Sequence, residues 1–119
     1  MSGPIHLTLP YPPSANVYWR MGKGHMHRST AANRYKLDVG KICNLVGAAP
    51  IQGDIMVTLD VYRPRRSGDL DNRVKCLLDA MQEHLYQDDS QIVEIHAKRY
   101  DDKRNPRVEV VIQKAERHE

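Results

Sequence analysis

Residues 55–85 read IMVTLDVYRPRRSGDLDNRVKCLLDAMQEHL, and the hydrophobic period changes within this segment. Every second residue is apolar over 55–61, which predicts a strand with one buried face. From Leu70 to Leu85 the apolar side chains recur three or four residues apart, which predicts a helix with one apolar stripe. A strand followed directly by an amphipathic helix is typical of an α/β domain.

The same two patterns recur on either side of this segment. Period-two alternation predicts three further strands, at residues 5–9, 93–97 and 108–112. A second helix is predicted over about 29–46, with Ser29 or Thr30 as its N-cap and with Gly40 as an unfavourable residue in its middle. The predicted order is β-α-β-α-β-β. The predicted fold class is therefore a two-layer α/β domain, a four-stranded mixed sheet with two helices on one face.

The connections between these elements carry their own predictions. A helix between the second and third strands implies a parallel crossover, if those strands are neighbours. Residues 10–28 hold three prolines and two glycines among basic and aromatic residues, which predicts a long surface loop. Within it, Tyr18 and Trp19 either stack on nucleic-acid bases or cap one end of the core. Residues 101–106 are predicted to join the last two strands as a hairpin.

Length and composition exclude several classes of protein. A chain of 119 residues has room for one core, so residues 1–119 are predicted to form a single domain. No run approaches the roughly 18 apolar residues that cross a bilayer, and we expect neither a signal peptide nor a membrane partner. Cys43 and Cys76 lack the spacing of a metal site. We therefore expect a reduced protein of the cytoplasm.

Positive charge is concentrated in the first half of the chain. Residues 1–53 hold six Lys or Arg and one acid, whereas residues 54–119 hold twelve Lys or Arg and fourteen acids. Three of those twelve are clustered, namely Arg63, Arg65 and Arg66. A basic half beside an acidic half indicates an anionic partner that meets a carboxylate-bearing site. The alternative is a merely solvated basic surface.

The start of the helix predicted from Leu70 holds the sharpest group of reactive side chains. Asp69 and Asp71 lie two residues apart at the helix start, and Asp89 follows the helix within an Asp-Asp pair. Hydrolysis of a phosphodiester needs Mg²⁺ against the phosphate, and Mg²⁺ prefers carboxylate oxygens. Lys75, four residues after Asp71 on the same helix edge, is placed to orient water or stabilise negative charge.

Each of these residues also has a structural alternative. Asp69 can serve as an N-cap, and Asp71 as a first-turn acid favoured by the helix dipole. Lys75 can serve as the ion-pair partner of Asp71, a contact worth about 0.3–0.5 kcal/mol. Residues 88–90 can form a simple turn.

Three of these segments together resemble the RusA family of Holliday-junction resolvases. Residues 7–20, LTLPYPPSANVYWR, are similar to the N-terminal signature of that family. Asp69-Leu-Asp71-Asn72 followed by Lys75 resembles its catalytic helix start, and Asp89 matches its third catalytic carboxylate. The resemblance covers residues from about 7 to 114.

The resemblance implies a magnesium-dependent endonuclease, of bacterial or phage origin, that resolves four-way DNA junctions by symmetric paired nicks. It implies Asp69, Asp71 and Asp89 as Mg²⁺ ligands, Lys75 as a catalytic residue at the phosphate, and no small-molecule cofactor. The residues expected to bind DNA are Arg20, Lys23, Arg63, Arg65, Arg66 and Asn72.

The resemblance also implies a homodimer. A C₂ dimer supplies two matched active sites for two matched nicks. The open face of the sheet, with Met56, Tyr62 and Val111 among polar residues, is one candidate interface.

Two other functions remain as alternatives. The first is a non-catalytic protein that binds branched or single-stranded nucleic acid. Asp89 discriminates against it, because a pure binder gains nothing from carboxylates that face phosphate. The second is a nuclease that uses the same site on flaps or replication forks.

Overall fold

A computed structural model describes residues 3–65 and 70–115, and it confirms the predicted fold class. The elements in chain order are β1 (Ile5–Pro10), α1 (Ala15–Tyr18), β2 (Trp19–Gly22), β3 (His25–Arg28), α2 (Thr30–Leu45), β4 (Ile55–Arg63), α3 (Leu70–Met81), β5 (Ile92–Asp101) and β6 (Arg107–Lys114). A short 3-10 helix, Asp89–Gln91, precedes β5. No helix among the described residues is long and apolar enough to span a bilayer.

The main sheet has the strand order β1-β6-β4-β5. Strands β4 and β5 pair in parallel, which confirms the predicted crossover through α3. The predicted hairpin over 101–106 is wrong, because β6 pairs with β1 and with the other edge of β4. The segment between β5 and β6 instead crosses the end of β4, where the Asp102 amide donates to the Arg63 carbonyl at 2.8 Å.

One face of this sheet carries the core. The inward side chains of β1, β4 and β6 are buried under α2 and α3, among them Val57, Leu59, Val110, Ile112, Leu77 and Met81. Each large side chain buried in this way stabilises the fold by about 1.5–3 kcal/mol. Cys43 and Cys76 are buried as free thiols, and burial raises the pKa of Cys76 to about 11.

Strand β5 is the exposed edge of the sheet. A register shift occurs opposite Ile55 and Met56, and beyond it Val93 is 56% and Ile95 44% exposed. Their alternation predicts a buried apolar face, which is wrong for these two positions because they lie on the edge strand. Ala97 lies farther along β5 and packs against the core.

Residues 10–28 are ordered, so the predicted long loop is wrong. They contain the single turn of α1 and an antiparallel hairpin of β2 and β3. The hairpin turn consists of Lys23 and Gly24, whose φ angles are 49° and 81°. Positive φ at both turn residues matches the twist of the two strands, and a glycine adopts it without steric cost.

Helix α3 ends four residues before the predicted end at Leu85. The backbone of Glu83 is left-handed, with φ 78°, and the chain reverses there while Leu85 remains buried. Helix α2 caps this end, because the Lys36 ammonium donates to the carbonyl oxygens of Asp79 and Gln82, each at 2.8 Å. The apolar stripe in the sequence therefore extends beyond the helix into a buried turn.

Helix α2 begins where the sequence predicts, and its internal glycine has a packing reason. The Ser29 hydroxyl accepts a hydrogen bond from the Ala32 amide at 3.1 Å, so Ser29 is the N-cap. The His84 ring lies directly over Gly40, where a Cβ would be 2.7 Å from His84 Cε1. Its Nε2 also lies 3.2 Å from the Lys36 carbonyl oxygen. Burial lowers the pKa of His84, so acid that protonates this ring opposes folding.

We expect Gly40→Ala to lower the free energy of unfolding by about 1–3 kcal/mol, because the new methyl group must displace the His84 ring. In a His84→Ala background the same change should raise it by about 0.5–1 kcal/mol, since alanine is the better helix residue. Urea unfolding of the four proteins measures both effects as one double-mutant cycle. The same effect in both backgrounds would contradict this account of the glycine.

Candidate active site

A groove of about 400 Å³ lies between α3, the 3-10 helix and the start of β2. Its lining consists of Trp19, Lys75, Leu78, Asp79, Gln82 and Asp89. Two of the predicted catalytic residues, Lys75 and Asp89, therefore meet in one groove. They meet because the chain reverses after α3 and returns beside it before entering β5.

The position of Asp89 is set by the residues around it. The Asp88 carboxylate accepts from the Ser90 amide at 2.9 Å, and the Gln91 side-chain oxygen accepts from the Asp88 amide at 3.0 Å. The Gln91 amide group donates to the carbonyl oxygens of Ile51 and Gly53, each at 2.8 Å. The hydrogen bond from Ser90 lowers the pKa of Asp88. Asp88 thus takes the turn role, and Asp89 borders the groove.

Asp71 lies outside the lining of this groove. It occupies the first turn of α3, one helical turn before Lys75, or about 6 Å along the helix axis. Both side chains are exposed, and within the described residues no ion pair joins them. The alternative in which Lys75 mainly pairs with Asp71 therefore has no geometric support.

The third predicted metal ligand, Asp69, lies outside the described residues, as does Arg66. Within residues 3–65 and 70–115, no three metal-ligating side chains come together. The predicted metal set therefore stays a prediction.

Asp79 is a groove residue that the sequence analysis does not single out. Its carboxylate accepts a hydrogen bond from the buried Tyr18 hydroxyl, and its Oδ1 lies 3.2 Å from Arg28 Nη1. Because Tyr18 directly precedes β2 and Arg28 is the last residue of β3, Asp79 links the base of the β2–β3 hairpin to α3. Its spacing of four residues from Lys75 and eight from Asp71 is the sequence signal that places all three along one helix edge.

The two aromatic residues at the start of the hairpin differ in their roles. Tyr18 is fully buried, so capping of the core is confirmed for this residue. Burial raises the pKa of its hydroxyl, and the hydrogen bond to Asp79 adds to the rise. Trp19 is half-buried, packs edge-on against Tyr18 with ring centroids 4.9 Å apart, and lines the groove.

Arg73 positions the start of α3 and is also not singled out by the sequence analysis. Its Nη1 donates to the Pro12 carbonyl at 2.9 Å, and its guanidinium lies 4.8 Å from the centroid of the Tyr11 ring. Tyr11 and Pro12 therefore contact the first turn of α3, which carries Asp71 and Asn72.

The predicted DNA-binding residues lie in different surroundings. Arg20 on β2, Lys23 in the hairpin turn and Arg65 after β4 are exposed, whereas Asn72 is half-buried in α3. Arg63 is engaged within the protein, since its side chain is 12% exposed and its Nε lies 2.5 Å from Asp101 Oδ1. Among the described members of this set, Arg20, Lys23 and Arg65 are the most open to a ligand.

The face of the sheet opposite the helices carries the predicted dimer residues. Met56, Tyr62 and Val111 are half-buried there. The Tyr62 ring lies 4.8 Å from the Tyr100 ring and 3.9 Å from the Arg107 guanidinium carbon, measured from the ring centroid. The use of this face as an interface stays a prediction.

Comparison with known proteins gives this architecture a context. Residues 10–113 match the family described as Endodeoxyribonuclease RusA. The chain is 31% identical over 114 residues to a crossover junction endodeoxyribonuclease of Enterobacteria phage 82. This alignment covers 90% of this chain and 92% of that protein. It is 30% identical over 109 residues to the crossover junction endodeoxyribonucleases of Escherichia coli K12 and Shigella sonnei, covering 89% of this chain and 91% of each relative.

Proposed function

The chain belongs to the RusA family of endodeoxyribonucleases, and we propose that it is a crossover junction endodeoxyribonuclease acting on four-way DNA junctions. The observation that carries this proposal is the groove beside α3 in which Lys75 and Asp89 meet. A protein that only bound DNA would gain nothing from a carboxylate there, since it repels phosphate. An ammonium and a carboxylate in one groove are what phosphodiester hydrolysis uses.

The proposed roles follow from the charges of the side chains. Lys75 contacts the scissile phosphate and stabilises the negative charge that develops on it. Asp69, Asp71 and Asp89 would hold Mg²⁺, which would activate water and neutralise charge on the phosphate. The donor set fits, because carboxylate oxygens suit Mg²⁺ and no hydrogen bond or ion pair within the described residues occupies Asp71. Asp79 is not in this set, since Tyr18 and Arg28 already engage it.

The proposed oligomeric state follows from symmetric cleavage. Two matched nicks need two matched sites, so the protein acts as a C₂ homodimer. We place the interface on the open sheet face with Met56, Tyr62 and Val111. The relatives come from bacteria and a phage. We infer that this protein acts on DNA in the bacterial cytoplasm. Hydrolysis consumes water alone, so no small-molecule cofactor is needed.

A labelled synthetic four-way junction tests this proposal. Incubated with the protein and Mg²⁺, it should be nicked at symmetric positions in two opposing strands, and without Mg²⁺ it should stay intact. A linear duplex of the same sequence is the control. Binding without cleavage in every condition would identify a non-catalytic binder, and faster cleavage of flaps or forks would identify the other nuclease.

The arginines before α3 provide a separate test of DNA binding. We expect Arg65→Ala/Arg66→Ala to weaken binding to junctions of any sequence and to reduce the log–log salt slope by about 0.9 for each phosphate that is no longer neutralised. The reason is that Arg65 is exposed at the chain segment leading into α3. Fluorescence anisotropy over a salt series measures the slope.

The matched control removes the same charge from α2. Arg34→Ala/Lys41→Ala changes two exposed basic side chains on a different element, α2. It should leave the salt slope as in the wild type. An unchanged slope in the variant of Arg65 and Arg66 would mean that these arginines face solvent in the complex.

A further inference from the structure

The β2–β3 hairpin displays two methionines directly opposite each other. Met21 is 69% exposed and Met26 57%, and the two are cross-strand partners. Cross-strand partners project from the same face of a two-stranded ribbon. Single exposed apolar residues are common on proteins, but a facing pair forms a small apolar surface of the kind that contacts a partner.

This apolar surface continues into the proposed catalytic groove. Trp19 precedes Met21 by two residues on β2, so both project from the same face of the strand. Trp19 also lines the groove that holds Lys75 and Asp89. At about 3.3 Å per residue, Met21 lies roughly 7 Å beyond Trp19 along the strand.

The charge around the methionines favours nucleic acid as the partner. Arg20 follows Trp19 on β2 with its side chain on the other face of the ribbon, and Lys23 lies in the hairpin turn, both exposed. No acid occurs in the sequence from residue 1 to residue 37. An apolar pair on a basic hairpin is complementary to DNA, which presents flat base faces between phosphates.

The base of the hairpin is fixed to the rest of the protein. An element that deforms a bound partner needs such a rigid support. A two-stranded ribbon of this length is marginally stable by itself. Here the Ser29 amide donates to the Tyr18 carbonyl at 2.8 Å, and Asp79 on α3 engages Tyr18 and Arg28. The methionines therefore project from a support that is fixed to the catalytic helix.

We propose that Met21 and Met26 form an apolar wedge that enters the branch point of the junction and unstacks the bases beside the scissile phosphate. The inference rests on the proposed function, because it assigns the wedge to the same substrate. Methionine is among the residues that proteins insert between base steps, and its flexible thioether packs on aromatic faces. Arg20 and Lys23 hold the flanking phosphates while the wedge is inserted.

A junction with 2-aminopurine at the branch point tests the wedge, because the fluorescence of this base rises when it is unstacked. In Mg²⁺-free buffer the wild-type protein should raise the fluorescence on binding. Met21→Ala/Met26→Ala should lose most of this rise and, with Mg²⁺, slow cleavage by about tenfold or more. Met21→Leu/Met26→Leu keeps the apolar surface and should retain both properties.

The matched control removes two exposed apolar side chains from α2. Leu37 and Leu45 are 65% and 86% exposed, and Leu37→Ala/Leu45→Ala should change neither the fluorescence nor the cleavage rate. Thermal melting of every variant checks that the fold is retained.

The outcomes separate the wedge from the proposed function. A wild-type protein that cleaves the junction without raising the fluorescence overturns the wedge alone. A wild-type protein that neither binds nor cleaves junctions overturns the proposed function and the wedge together. Sedimentation of the alanine variant as a monomer, where the wild type is a dimer, would assign the methionines to a contact between copies and overturn the wedge.

Discussion

Asp71→Asn should slow cleavage of a four-way junction by at least about 10²-fold. Asparagine keeps the size of the side chain but removes the charge that would hold Mg²⁺, and such electrostatic roles dominate the transition state. Junction binding should persist or tighten, because a negative charge facing phosphate is gone. Stability should change little, since Asp71 is exposed in the first turn of α3, where the helix dipole is worth about 0.3–1 kcal/mol.

Single-turnover cleavage with Mg²⁺ and equilibrium binding without it measure these two effects separately. Asp38→Asn serves as the control, because it removes the same charge from α2. We expect it to cleave at the wild-type rate. Near wild-type cleavage by Asp71→Asn would reduce Asp71 to a residue of the helix start.

Lys75→Ala and Lys75→Arg should both lose most cleavage activity while melting within a few degrees of the wild type. The stability cost of the alanine variant should be about 0.5 kcal/mol or less, because Lys75 is exposed and no ion pair within the described residues joins it to Asp71. The arginine variant keeps the charge, but its planar guanidinium cannot take the place of a compact ammonium. Trp19 and Asp89 line the same groove as Lys75.

The assay for Lys75 starts from a preformed complex of protein and junction to which Mg²⁺ is added, so that binding defects do not intrude. Lys41→Ala, an exposed lysine of α2, is the matched control. Full activity of Lys75→Arg would show that charge alone matters at this position. Full activity of Lys75→Ala would remove Lys75 from the catalytic residues.

Local patterns are sufficient for β1, β4, β6 and the start of α2. Period two marks β1, β4 and β6 because their alternate residues are buried under α2 and α3. Ser29 marks the start of α2 because its hydroxyl satisfies an amide that the helix leaves free. Each of these features depends on residues a few positions apart, so the sequence displays them directly.

Hydrophobic periodicity does not predict the hairpin or the end of α3, although both depend on residues close together in the sequence. Lys23-Gly24 is a two-residue turn, but its flanking strands are only 4 residues long each and are largely exposed. The stripe through Leu85 predicts a longer helix, because a buried turn after Met81 needs apolar residues as much as a helix does. A buried helix and a buried turn therefore give the same pattern of apolar residues in the sequence.

In the candidate site, too, some features follow from local spacing and others from tertiary contacts. Asp71 and Lys75 share one helix, so their spacing alone predicts a common edge. The meeting of Lys75 with Asp89 requires the chain reversal at Glu83, and the role of Asp79 requires contacts with Tyr18 and Arg28 across the fold. Likewise, β4 offers hydrogen bonds at two edges, and nothing in the period of β6 says which edge it takes. Side-chain periodicity shows which face of a helix or strand is buried. Which elements pack or pair with each other depends on the tertiary packing of the whole chain.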